Sequence, residues 1–198
     1  MRAVLTNPMQ IEGRWKEGWV LDYQIVSSTF IGYNAYGYPR FDTVRTEIGE
    51  LVYRLKYKGR KDALEELVTV AAGFVKKWAP PVDAVVPTPP SKARATQPVL
   101  RVAGGLAVAL RLPLHDVVLR TTGSAKQLKD VSDYQERIKL LENAHEVTDS
   151  LICGKSVLLV DDLYESGATL NAVTAALYDK GGVSAVYAFA VTRTGSAS

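Results

Sequence analysis

Apolar residues follow two alternating patterns along this chain: short, mostly apolar runs, and longer stretches in which they recur every third or fourth position. Residues 82–86, 114–119, 157–160 and 183–191 are the runs. Short runs rich in branched residues predict strands buried on both faces of a parallel sheet. Helical stripes separate them. Leu64, Leu67, Val68, Ala71, Ala72 and Val75 form one, capped by Asp62 and stopped by Pro80-Pro81. Val99, Val102, Ala103, Leu106 and Leu110 predict a helix over 98–110, and Val173, Ala176 and Leu177 predict another over 170–180 ahead of Gly181-Gly182. An earlier stripe of Ile48, Leu51, Val52 and Leu55 opens at Thr46-Glu47 and ends among Arg54, Lys56, Lys58, Arg60 and Lys61, cations that complement a helix dipole. The alternation from residue 82 onward predicts an α/β fold, a doubly wound and mainly parallel sheet.

Residues 1–45 lack this rhythm. They are rich in Tyr, Trp and Gly, with a candidate hairpin over 15–23. Tyr33, Tyr36 and Tyr38, with nearby glycines, predict an irregular loop whose aromatics pack into the core, the alternative being an exposed base-stacking or partner surface. The expected division is therefore 1–45, a β-rich appendage or hood, and 46–198, the α/β domain. One connection is unusually long: residues 120–149 are polar and contain a candidate helix over 133–143. Such a connection in a compact domain is a functional lid or a disordered segment, and the lid reading rests on Arg120 and Lys126.

At 198 residues and 47% apolar composition the chain can bury a real core. A net charge of +3 without a block of like charges announces neither a nucleic-acid nor a membrane partner, so nucleic acid stays open but unsupported. No apolar run approaches the ~20 residues of a membrane helix, and no signal peptide opens the chain, so a cytoplasmic protein is expected. The single Cys153 has no internal disulfide partner, and two histidines make no metal cluster.

The chemistry concentrates at 155–169. The run 157–160 ends in Asp161 and Asp162 at a strand's carboxyl end, where open α/β sheets bind ligands. A turn of small residues then leads into a helix, whose amino terminus suits a phosphate. Two rivals share this pattern. Acids can simply cap a strand end, and nucleotide triphosphatases carry a similar acidic strand, although the phosphate loop they require is absent here. Earlier, Pro87-Thr88-Pro89-Pro90 makes a rigid turn in which an X-Pro bond is a candidate for the cis form. Ser91, Lys92 and Arg94 follow it.

The string VLLVDDLYESGAT resembles the PRPP-binding signature of type I phosphoribosyltransferases, departing from it at Glu165 and Ser166, where threonines are common. Leu55-Lys56-Tyr57-Lys58-Gly59, Val85-Val86-Pro87-Thr88-Pro89, and Gln127, Arg137 and Asn143-Ala144 resemble elements of the ComF-type branch. That branch's Cys-x-x-Cys zinc module is missing, and its Arg-Gly-Phe-Asn-Gln string is reduced to Arg94-Ala95-Thr96-Gln97.

The resemblance implies a PRPP-binding enzyme that transfers ribose 5-phosphate to a nucleobase or amine and releases pyrophosphate. It implies that Asp161 and Asp162 hold the ribose hydroxyls, directly or through Mg²⁺ bound by PRPP or water. Ser166, Gly167, Ala168 and Thr169 would wrap the 5′-phosphate; Thr88, Lys92 and Arg94 would hold pyrophosphate. A further likeness, to the purine-salvage branch, implies Glu165 as a general base, against the alternative of a solvated acid in the helix's first turn. The same residues also suit a non-catalytic sensor or a ComF-like accessory to DNA uptake or processing. The acceptor is not specified, and a homodimer stays open.

Overall fold

The computed structural model describes residues 3–90, 97–120 and 144–196. Lys92, Arg94, Lys126, Gln127, Arg137 and the candidate helix over 133–143 lie outside the described residues. The elements run β1 (Met9–Gln10), β2 (Glu17–Tyr33), β3 (Pro39–Arg45), α1 (Glu47–Lys58), α2 (Lys61–Trp78), β4 (Ala84–Pro87), α3 (Pro98–Leu110), β5 (Val118–Arg120), β6 (His145–Val147), β7 (Ser156–Tyr164), α4 (Ala168–Asp179) and β8 (Ala185–Ser196).

Six strands form the main sheet in the order β1-β2-β8-β7-β4, with β3 also paired to β2. The pairs β2–β8, β8–β7 and β7–β4 are parallel; β1 and β3 run antiparallel to β2. The sheet is mainly parallel and wound on both sides, as expected. Alternation along β7 shows why: Leu158 and Val160 enter a core with α1, α2 and α3, while Val157 and Leu159 enter a second core with α4. All four are fully buried, so the strand must be apolar on both faces.

Helix α1 begins at the N-cap Thr46, whose hydroxyl accepts from Gly49 N at 2.9 Å and donates to Tyr23 O at 2.6 Å. One side chain thereby caps the helix and fastens it to β2. Its buried face is Ile48, Leu51, Val52 and Leu55, as the periodicity predicts. Asp62 does not cap α2. The N-cap is Arg60, and Asp62 sits inside the first turn, where it accepts from Arg60 Nε at 2.9 Å and Arg54 Nη2 at 2.6 Å. The Arg60 guanidinium holds the Asp62 carboxyl down at about 2.

Three further expectations are corrected. The run 114–119 is not one strand: Leu114 bridges Val85 in parallel, after which the chain turns away and Val118–Arg120 pairs antiparallel with β6. Val117 and Val118 thereby turn into the core beside α4. No peptide bond is cis among the described residues, including those of Pro87 to Pro90. Tyr33, Tyr36 and Tyr38 are not core residues; they are 69%, 85% and 68% exposed. The pairing of β2 with β8 ends at Ile25 opposite Ser196, and beyond it β2 and β3 continue as a two-stranded arm. Strand β2 therefore crosses the ground assigned to the amino-terminal unit: Glu17 to Ile25 lies in the main sheet, and the remainder forms the arm. Among the described residues no helix is long and apolar enough to cross a membrane.

Candidate functional site

Strand β7 carries both acids within it, and its carboxyl end, together with that of β4, opens into a cavity of about 430 Å³. Thr88, Pro89 and Pro90 after β4 line one side, and the stretch Asp161 to Leu170 lines another. Lys56 and Tyr57, from the end of α1, Gln24 of β2, and Gln97 to Val99 at the start of α3 complete the wall. The prolines cannot extend the sheet, and Thr88 N closes the last ladder position by donating to Val160 O at 2.9 Å. The loop is thus held directly against the strand that bears the acids.

Asp161 is buried and accepts from Asp162 N at 2.8 Å and from the Thr88 hydroxyl. Burial pushes its carboxyl up to about 6, helped by the neighbouring Asp162 charge and opposed by those hydrogen bonds. Asp162 is more open and pairs with Lys56 Nζ at 3.0 Å. Its carbonyl accepts from Thr192 Oγ1 at 2.9 Å, which ties the backbone just after the second acid to β8.

The turn after the acids delivers the chain to α4. Gly167 is the N-cap in the left-handed region (φ 75°), where glycine has no penalty. A Cβ there would lie 3.0 Å from the Tyr164 hydroxyl, so the ring packs directly on the glycine. Gly167 has no side chain to cap α4 and no acid lies in its first turn; the Ser166 hydroxyl accepts from Ala168 N at 3.4 Å. The leading N–H groups of α4 and its positive dipole end face the cavity. The loop is anchored from outside: Asn171 Nδ2 donates to Gly167 O at 3.0 Å while its Oδ1 accepts from Arg14 N at 2.8 Å. Behind it, Arg193 lies between two rings, 5.3 Å from the Tyr23 centroid and 5.7 Å from that of Tyr164.

The structure brings Thr88, Asp161, Asp162, Glu165, Ser166, Gly167, Ala168 and Thr169 to one cavity. Glu165 is exposed on its rim and precedes α4, so it does not occupy the first helical turn. The backbone of Arg120 lies in β5, paired with His145, whose carbonyl accepts from Lys180 Nζ past the carboxyl end of α4. Lys56, Tyr57 and Gln24 were not anticipated in the site. The string Leu55-Lys56-Tyr57-Lys58-Gly59 was the signal for Lys56 and Tyr57, but the charge of Lys56 reads equally well as a dipole complement, and nothing in the sequence marked Gln24.

Among the described residues no group of three or more His, Cys, Asp or Glu could hold a metal ion by itself. Two adjacent carboxylates suit a Mg²⁺ whose other ligands are phosphate oxygens and water.

This architecture has counterparts. The PRPP amidotransferase of Bacillus subtilis, in complex with ADP and GMP, matches with a TM-score of 0.50 and 17% identity, over 79% of this chain and 34% of its own. The fold is that of a type I phosphoribosyltransferase. The adenine phosphoribosyltransferase of Leishmania donovani matches at a TM-score of 0.47 and 10% identity, over 89% of this chain and 83% of its own. In sequence, the phosphoribosyltransferase-like chain is similar to the competence protein ComFC of Bacillus subtilis, with 27% identity over 146 residues. That match covers 73% of this chain and 59% of ComFC, so it spans less than two thirds of the relative. No family model matches.

Proposed function

We propose that the cavity binds PRPP with Mg²⁺, and that the protein transfers the ribose 5-phosphate group to a nucleobase or amine. One observation carries this reading: an acid pair at the end of β7 and the amino terminus of α4 share one cavity of about 430 Å³. The first offers acceptors for vicinal hydroxyls, and the second offers donors for a phosphate.

In this reading Asp161 and Asp162 hold the ribose hydroxyls while Ser166 to Thr169 wrap the 5′-phosphate. Thr88, with Lys92 and Arg94, holds pyrophosphate. The bond from the anomeric carbon to pyrophosphate breaks, and pyrophosphate leaves with the electron pair. The acceptor nitrogen forms the new bond, and its proton passes to Glu165 on the rim. Positive charge builds on the ribose as this happens, and the carboxylates beneath it oppose that charge. Mg²⁺ bound through phosphate oxygens, with the acid pair as its protein side, would offset the charge of the leaving group.

Calorimetry with PRPP and Mg²⁺, followed by a pyrophosphate-release screen over nucleobases, ammonia and glutamine, tests the proposal. Binding that weakens more than tenfold in Asp161→Asn/Asp162→Asn is expected, at about 1.5–3 kcal/mol per charged hydrogen bond. Equal binding by that variant would return the acids to a structural role. The similarity to a protein named for competence favours a second reading, a PRPP-binding accessory without turnover. Tight PRPP binding without pyrophosphate release for any acceptor would select it.

A further inference from the structure

Arg193 stands on the last rung between β7 and β8. Their parallel ladder closes with Tyr164 opposite Arg193, and across the other edge of β8 the same arginine stands opposite Tyr23 of β2. The three residues form one row over three strands, and residues in register share a face. Beyond this rung the loop to α4 leaves the sheet, so side chains hold what ladder hydrogen bonds no longer do. Three consecutive residues of β8 reach it. Thr192 Oγ1 donates to Asp162 O at 2.9 Å and Thr194 Oγ1 donates to Glu165 O at 3.4 Å, while Arg193 meets the Tyr164 ring.

A glycine closes the row at each end. A Cβ on Gly195 would lie 3.3 Å from Tyr23 Cε1, and one on Gly167 would lie 3.0 Å from the Tyr164 hydroxyl. Tyr164 thus touches both the guanidinium and the left-handed turn that opens α4. The guanidinium differs from the other partly buried cations near the acids. Lys56 is paired with Asp162 and Arg54 with Asp62. Among the described residues Arg193 has neither an ion pair nor a side-chain hydrogen bond, and its Nε is buried without a partner. A group that only filled the space between two rings would be apolar, because ring faces return just part of the solvation that a buried cation loses. A rigid, planar, permanently charged group can instead hold a ring in one orientation.

We propose that Arg193 is a positioning residue of the loop: held between Tyr23 and Tyr164, it keeps the Tyr164 ring on Gly167 and so fixes the turn that presents the amino terminus of α4 to the cavity. Arg193 does not line the cavity, whereas Tyr164 and Gly167 do, so it acts through Tyr164. The positioning stands on this geometry alone; its effect on a ligand's phosphate rests on the PRPP reading.

Hydrogen exchange of the ligand-free full chain tests the proposal. Arg193→Met keeps the bulk and removes the planar charge. Amides of residues 165–171, including Asn171, whose N–H donates to Gly167 O at 2.9 Å, should exchange about tenfold faster while those of β7 and β8 before the rung keep their rates. Unchanged exchange in the loop overturns the proposal, as does acceleration spread over the whole sheet, the mark of an ordinary core residue. In calorimetry ribose 5-phosphate should bind the variant about tenfold more weakly, with pyrophosphate bound as by the parent. A parent that binds neither PRPP nor ribose 5-phosphate removes the PRPP reading and leaves exchange to decide the role of Arg193. Tyr164→Leu completes a double-mutant cycle: the combined variant should exchange no faster than the more affected single one, and additive losses overturn the proposal. Tyr23→Leu removes the ring on the far side of the guanidinium, outside the cavity lining. It should show the same local acceleration even where Arg193→Met does not fold, and a loop as protected as the parent's overturns the proposal.

Discussion

Lys56, near the end of α1, reaches Asp162 on β7 at 3.0 Å, with 11% and 21% of the two side chains exposed. The contact joins the first helix of the α/β body to the acid pair. It neutralises one of two adjacent carboxylates in a site proposed to receive a polyanion. Lys56→Met should lower stability by about 1–2 kcal/mol, because it leaves a half-buried carboxylate unpaired. PRPP affinity should fall at least tenfold. Urea titration and calorimetry measure the two, and a variant unchanged in both would reduce the pair to a surface contact.

Asp161 predicts a pH dependence of stability. Its carboxyl stands at about 6 in the folded, ligand-free protein because burial and Asp162 disfavour the charge. The folded state therefore binds more protons than the unfolded state between pH about 4 and about 6. The Asp161 contribution is fully present below the lower limit and is lost as pH rises through the upper one, a fall of about 2–3 kcal/mol. Asp161→Asn should thus be more stable than the parent near neutral pH, show little gain near pH 4, and bind PRPP less well. A stability difference that is flat across this range in urea titrations without Mg²⁺ would contradict the burial of a charge there.

Glu165→Gln separates two roles for the rim carboxylate. As a general base it should lose about 10²–10⁴-fold in turnover with PRPP affinity kept or improved. Unchanged release of pyrophosphate with an active acceptor would leave Glu165 as a solvated acid.

Gly167→Ala probes the loop backbone. Alanine in the left-handed region costs about 1–2 kcal/mol, and its Cβ would press on Tyr164 at 3.0 Å. Both relax by moving the turn, so PRPP affinity should drop about tenfold with only a modest fall in melting temperature. A normal affinity would mean that the turn does not shape the binding site.

Much of this arrangement was legible in the residues themselves. The helix expected over 98–110 runs from Pro98 to Leu110, with a proline at its start and an apolar stripe to fix its limits. The acids of β7 and the small residues after them stand where a strand–turn–helix reading puts them. Legibility failed where a residue's meaning depends on a distant segment. Charge alone does not distinguish Lys56 from the neighbouring cations; only the docking of α1 beside β7 turns it into the site. The tyrosines of the arm misled for a related reason. Aromatics signal burial because most strands have a layer beside them, whereas β2 outruns β8. Leu114 to Leu119 has the composition of one strand, but the chain leaves β4 after a single bridge.

The pairing of Ile25 with Arg45 has a separate consequence. These residues stand opposite each other where the arm leaves the sheet, so residues 26–44 form a loop closed at its neck. All of the buried hydrophobic core lies outside that interval. Nineteen positions could be exchanged for a tight turn from Ile25 to Arg45 without opening either core. The arm is topologically an insertion, free to be lengthened, recoded or lost between relatives while the sheet beneath it stays as it is.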